Sequence, residues 1–244
     1  MDGSNACYLA YVRSLHILYS YSDNVQTAEA LAIGSSGSVG ANKSRCQVNG
    51  SGTTATLSGT TLTLAVNFTF KAAFTGRQAI YTAAGDGAGA NSGWQSMGVR
   101  YPPMPTSLPN YPEVVSLSPA RTTAERQILT VVFPDPNGNA DLNVLNLLIN
   151  KAIDGLNACY LAYVRSTSVF YLVTDDGGGL LSFSGSPSMA ANSQCGLYAA
   201  GTSAQFSGNS VTLNFDLEFY RPRFGGNRIV YAAARDGVLN NSGW

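Results

Sequence analysis

NACYLAYVRS occurs at Asn5–Ser14 and again, letter for letter, at Asn157–Ser166. An enzyme rarely needs its active-site segment twice, whereas a protein built from repeated units carries the same element in each. The match extends outward from both copies. Asp2-Gly3 and Asp154-Gly155 precede them at the same offset, and Cys46 corresponds to Cys195. SGTTLTLAVNFTF (Ser58–Phe70) corresponds to SGNSVTLNFDLEF (Ser207–Phe219), and Phe74 corresponds to Phe224. AIYTAAGDGAGANSGW (Ala79–Trp94) corresponds to IVYAAARDGVLNNSGW (Ile229–Trp244). The offset slips only in Gly/Ser-rich or turn-like stretches, which defines a unit of about 150 residues.

Between the copies, PPMPTSLPNYP (Pro102–Pro112) holds five of the ten prolines and reads as an extended, semi-rigid joint. The expected division is a first repeat over residues 1–101, a Pro-rich linker over 102–111 and a second repeat over 112–244. EVVSLSPARTTAERQILTVVFPDPNGNADLNVLNLLIN (Glu113–Asn150) has no counterpart before the first decapeptide. The first repeat is therefore expected to lack its opening strands. Gln95–Tyr101 has no counterpart in turn, so the second repeat is expected to lack its last strand.

Apolar residues make up 45% of the 244, enough for real cores, while charged residues are only 11%. Fourteen basic and fourteen acidic residues cancel, so no charge imbalance points to nucleic acid or an anionic membrane. No apolar run reaches membrane-spanning length, and MDGSNACYLAY shows no basic stretch followed by an apolar one, so neither membrane insertion nor a signal peptide is read. In TLTLAVNFTF, Leu62, Leu64, Val66, Phe68 and Phe70 alternate with polar or small residues, the period of a strand with one buried face. VTLNFDLEF repeats the pattern, and QILTVVF, NVLNLLI, CYLAYV, FYLVTD, RIVYAAA and WQSMGV add short strands separated by turn sequences such as DPNG, DDGGG and GGN. The fold class expected is all-β: tandem antiparallel β-sandwich repeats of immunoglobulin-like character.

Each repeat has two cysteines at matched positions, Cys7 with Cys46 and Cys159 with Cys195. The even count points to one disulfide per repeat and to an oxidising, extracellular compartment; the alternative is four reduced core cysteines. The combination of NACYLAYVRS, an FYLVTDDG strand, a second cysteine, an SGNSVTL strand and a DGxxNSGW ending resembles a repeat of large secreted bacterial multidomain and surface proteins. EVVSLSPARTTAERQILTVVFPDPNG resembles the opening of a bacterial immunoglobulin-like module. The resemblance implies display, adhesion or scaffolding, not a reaction.

Chemistry is sparse. The one histidine, His16, corresponds to Ser168, so the unit does not require imidazole. No nucleophile elbow, zinc-protease, phosphate-loop or dinucleotide motif is present, and no enzyme is expected. Asp86, Asp135, Asp176 and Asp236 sit beside turn formers, and Asp86 matches Asp236. DPNGNAD places Asp135, Asn137, Asn139 and Asp141 at alternate positions, a calcium-loop spacing, although it lacks the glycine and closing glutamate of an EF-hand and also reads as a plain turn. No other cofactor is expected. A Lys–Asn isopeptide bond finds no lysine matched between repeats among Lys43, Lys71 and Lys151.

The leading expectation is an extracellular structural or adhesive protein, a filament or surface-fibre subunit whose incomplete first repeat is completed head to tail by strands of a neighbouring copy. The alternative is a carbohydrate-binding module of a secreted bacterial enzyme, with Tyr8, Tyr160, Trp94 or Trp244 facing surface glycans.

Overall fold

The computed structural model describes residues 3–76, 78–100, 110–186 and 188–244. Most of the 102–111 stretch lies outside these residues. The chain divides into two compact units, Met1–Gly76 and Arg77–Trp244. Residues 78–100, which the repeat alignment assigns to the first copy, fall in the second unit.

The first unit contains β1 (Leu9–Val12), β2 (Ile17–Tyr21), β3 (Ala28–Ala32), β4 (Ser38–Val39), β5 (Cys46–Ser58) and β6 (Thr61–Phe70). They form two antiparallel three-stranded sheets, β1-β2-β3 and β4-β5-β6. The second unit begins with a hairpin, β7 (Gln78–Thr82) and β8 (Gln95–Arg100). It continues with β9 (Ser116–Ser118), β10 (Arg126–Pro134), β11 (Leu142–Asn150), β12 (Cys159–Val164), β13 (Val169–Val173) and β14 (Leu180–Leu181). β15 (Met189–Ala191), β16 (Cys195–Ser207), β17 (Ser210–Phe219) and β18 (Ile229–Asp236) complete it. Two antiparallel five-stranded sheets result, ordered β15-β16-β17-β10-β9 and β14-β13-β12-β11-β18.

Alternation explains how these two sheets share one core. Leu129, Val131 and Phe133 of β10 meet Val211, Leu213, Phe215 and Leu217 of β17 on one side of it. Leu145, Leu147 and Ile149 of β11 with Leu161 and Tyr163 of β12 form the other. The rings of Tyr163, Phe170 and Phe215 link the two layers, with centroids 4.7 and 5.8 Å apart in successive pairs.

The two units agree in register. Cys46 pairs with Phe70 and Ser58 with Thr61 in one; Cys195 pairs with Phe219 and Ser207 with Ser210 in the other. Each ladder carries a bulge, between Asn49 and Thr54 and between Tyr198 and Ser203. A threonine hydroxyl closes each bulge. Thr53 Oγ1 donates to the Asn49 carbonyl and accepts from Asn67 N–H, at 2.6 and 3.0 Å. Thr202 does the same with the Tyr198 carbonyl and Asp216 N–H, at 2.7 and 3.2 Å. Each unit also has its disulfide, Cys7–Cys46 and Cys159–Cys195, both with Cα atoms 5.6 Å apart. Closing loops of 39 and 36 residues removes loop-closure entropy worth about 4 kcal/mol each.

Where the units differ is in what flanks the matched strands. β12 lies between β11 and β13, and β17 lies between β16 and β10. Among the described residues their counterparts β1 and β6 are edge strands, each paired on one side only. The same decapeptide therefore sits in two environments: Leu161 and Tyr163 are buried, whereas Leu9 and Tyr11 are half-buried. The smaller core of the first unit is built on Leu18, Leu31, Val39 and Val48.

Two outcomes are expected. Thr202→Val leaves the Tyr198 carbonyl and Asp216 N–H of the bulge without their shared partner and lowers stability by about 1–3 kcal/mol in urea unfolding, with Thr202→Ser losing less. In residue-resolved NMR hydrogen exchange, backbone amides of Leu161–Val164 exchange more slowly than the identical residues Leu9–Val12; equal rates would contradict the edge position of β1.

Candidate functional site

Two features stand out from the packing. The first is the paired opening on the edges of β1 and β6. Leu62 and Leu64 of β6 are 43% and 37% exposed, while Val211 and Leu213, their counterparts on β17, are fully buried. Phe68 and Phe70 are likewise exposed on β6 and stack on one another, centroids 5.3 Å apart. In the second unit this row of side chains is covered from the β10 and β11 side. β10 follows β17 in the first sheet, and β11 follows β12 in the second. They are consecutive in the chain, joined by the Asp135–Asp141 turn, so one segment extends both sheets, with β9 and β18 beyond it.

The second feature is that turn itself. Asp135 and Asp141 are joined by Asp236, at the end of β18; a carboxylate oxygen from each lies within 4.8 Å of the others. Asp135 and Asp236 are fully buried, and Asp141 is half-buried. Asp135 Oδ1 accepts from Asn137 N–H at 2.8 Å, while Oδ2 is buried with no hydrogen-bond partner. Burial pushes the Asp135 carboxyl up from its ordinary range; the Asn137 N–H opposes this, and the nearby Asp141 and Asp236 charges add to it. Gly237 N–H donates to the Asp141 carbonyl at 2.8 Å, tying the end of β18 to the turn.

The four residues read from the loop spacing therefore separate. Asp135 and Asp141 converge. Asn137 lies beside them, its Nδ2 donating to Asp141 Oδ2 at 3.1 Å. Asn139 turns away, its amide donating to the Gly208 carbonyl. Asp236 comes from far along the chain, and its only local signal was the DG turn shared with Asp86. That turn is built alike in both copies. Asp86 Oδ1 accepts from Ala88 and Ala90 N–H, and Asp236 Oδ1 accepts from Val238 and Asn240 N–H.

The remaining candidates resolve into structure. His16 and its counterpart Ser168 both hold a left-handed backbone, φ 52° and 55°, in the turn after the repeated strand. Lys43 Nζ donates to the Ser20 hydroxyl at 3.0 Å and to the Ser20 carbonyl, and Lys71 Nζ donates to the Ala41 carbonyl. Neither contact is the amide side chain an isopeptide bond needs. Tyr8 stacks on Tyr21, centroids 4.7 Å apart, and Tyr160 meets Trp244 edge-on at 5.9 Å. These rings are engaged in packing, whereas Trp94, the fourth aromatic candidate, is 39% exposed. Among the described residues no helix is long and apolar enough to cross a membrane. No family model, curated protein or solved structure matches this chain.

Proposed function

We propose that the chain is an extracellular structural or adhesive protein made of tandem immunoglobulin-like units, in which the first unit accepts strands from a neighbouring molecule. The observation that supports this reading is the exposed apolar row of β6 beside the open edge of β1, at the place where β10 and β11 sit in the second unit. The occupant is a strand–turn–strand segment patterned like Arg126–Asn150 but free to pair, since Arg126–Asn150 itself is already held as β10 and β11 of the second unit. Its first strand joins β6 and its second joins β1.

The energetics favour such a partner. Covering the exposed part of Leu62, Leu64, Phe68 and Phe70 is worth about 3 kcal/mol in apolar burial. Each ladder hydrogen bond formed along the two edges adds about 0.5–1.5 kcal/mol. Main-chain pairing supplies the affinity, and the alternating pockets of the apolar face supply the register, as in other cases of strand addition. Repeating the contact head to tail, with a rotation that does not close on itself, would generate a filament or surface fibre. The disulfides and the lack of a membrane-crossing helix among the described residues are compatible with secretion.

A synthetic peptide spanning Glu113–Asn150 is expected to bind the chain and to slow amide exchange along β1 and β6 together. Leu64→Lys, which places a charge on the exposed face of β6 without disturbing a buried site, is expected to abolish that binding while leaving the circular dichroism spectrum unchanged. Sedimentation of the chain alone should show concentration-dependent association. A chain that stays monomeric, ignores saturating peptide and shows unchanged β6 exchange contradicts the proposal.

A further inference from the structure

We propose that Asp135, Asp141 and Asp236 bind one calcium ion, which clasps the β10–β11 turn to the end of β18. The turn chemistry of each loop accounts for only part of what is seen. Asp236 is explained as a turn former by the two backbone N–H groups on its Oδ1, and Asp86 holds the same two bonds in the other copy. A turn does not explain why two further carboxylates converge on Asp236, or why two of the three are fully buried. Nor does it explain Asp135 Oδ2, which is enclosed without a donor.

Three converging carboxylates repel one another, and although Asn240 and Asn137 amides donate to Asp236 Oδ2 and Asp141 Oδ2, at 2.7 and 3.1 Å, neutral donors do not cancel the charge and Asp135 Oδ2 has none. Both ion pairs of the described residues lie elsewhere, Arg126 with Asp216 and Arg221 with Glu125. A cation is the missing partner. The donor set is all oxygen, with no histidine or thiolate, which selects a hard ion of the calcium and magnesium class over zinc or copper. Oxygens spread over as much as 4.8 Å suit bonds of about 2.3–2.6 Å better than the tighter, near-octahedral shell of about 2.0–2.1 Å that magnesium demands. Asn137 stands next to Asp141 and offers a further oxygen if its amide turns over, giving up the hydrogen bond it now donates. The Gly237 N–H to Asp141 carbonyl bond holds the two loops in place before any ion arrives. A side chain at Gly237 would bring its Cβ to 3.1 Å from Asp141 Oδ1, so the residue following Asp236 must be small for the acids to meet.

The test uses the full chain stripped with a chelator. Titration with calcium chloride in a calorimeter is expected to show one ion per chain. Thermal unfolding followed by circular dichroism is expected to shift upward by several degrees in calcium relative to EDTA, with a smaller shift in magnesium chloride. Asp141→Asn, at a half-buried position that tolerates an isosteric amide, should weaken calcium binding at least tenfold. Asp135→Asn gives a readout that a purely structural acid would not: the variant unfolds at a higher temperature than the parent in EDTA, yet no longer responds to calcium. Asp86→Asn should leave binding unchanged. Absence of both heat and midpoint shift at millimolar calcium overturns the proposal, as does full binding by Asp141→Asn or loss of binding by Asp86→Asn. The three acids lie in the second unit and the strand-accepting edges in the first, so failure here leaves the strand-acceptor reading standing, and the reverse also holds.

Discussion

A β-strand has two hydrogen-bonding edges, and the second unit rests on both being occupied for β12 and β17. Burial follows from pairing. Only when β10 continues the sheet of β17, and β11 that of β12, do the alternating apolar side chains of both layers find a full set of neighbours. Because β10 and β11 are consecutive, one stretch of chain extends both sheets past β17 and β12. The first unit has the same ladder, the same bulge and the same disulfide, and yet its β6 leaves large apolar side chains in solvent. Local sequence decides that a segment is a strand; its neighbours decide whether the strand has an inside.

That distinction marks what could be read from the residues. The period of two in TLTLAVNFTF and VTLNFDLEF identified two strands, and both are strands over Thr61–Phe70 and Ser210–Phe219. The cysteine pairing followed from matched positions and is present in both units. The pattern carries no information on whether a sheet continues beyond the strand, so Leu62 and Val211 read alike and differ completely in exposure. The Pro-rich stretch remains a sequence reading, since its residues lie largely outside those described.

The acid cluster was half legible. Spacing in DPNGNAD drew attention to Asp135 and Asp141, whose carboxylates converge. It also drew in Asn139, because regular spacing along a sequence does not fix which way a turn aims its side chains, and this one aims at the Gly208 carbonyl. Asp236 had no local signature beyond a turn former, because its meeting with the other two is made by β18 pairing with β11. Thr53 and Thr202 were hidden differently. Both sit at matching places in the repeat, but a threonine within a Ser/Thr-rich strand is unremarked until the bulge it closes is seen.

The bulge has a further consequence for how the ladder responds to pull. An alternating strand that slides by two residues along its partner presents the same faces to the core, so alternation alone leaves the pairing free to creep. In the second unit the Thr202 hydroxyl grips one strand's carbonyl and the other's amide at the bulge, which marks one register of the ladder. The Cys159–Cys195 bond pins the start of the same strand to the opposite sheet. A load drawn along β17 then meets a rail with a detent and a bolt, and has to break many bonds together before the first residue moves.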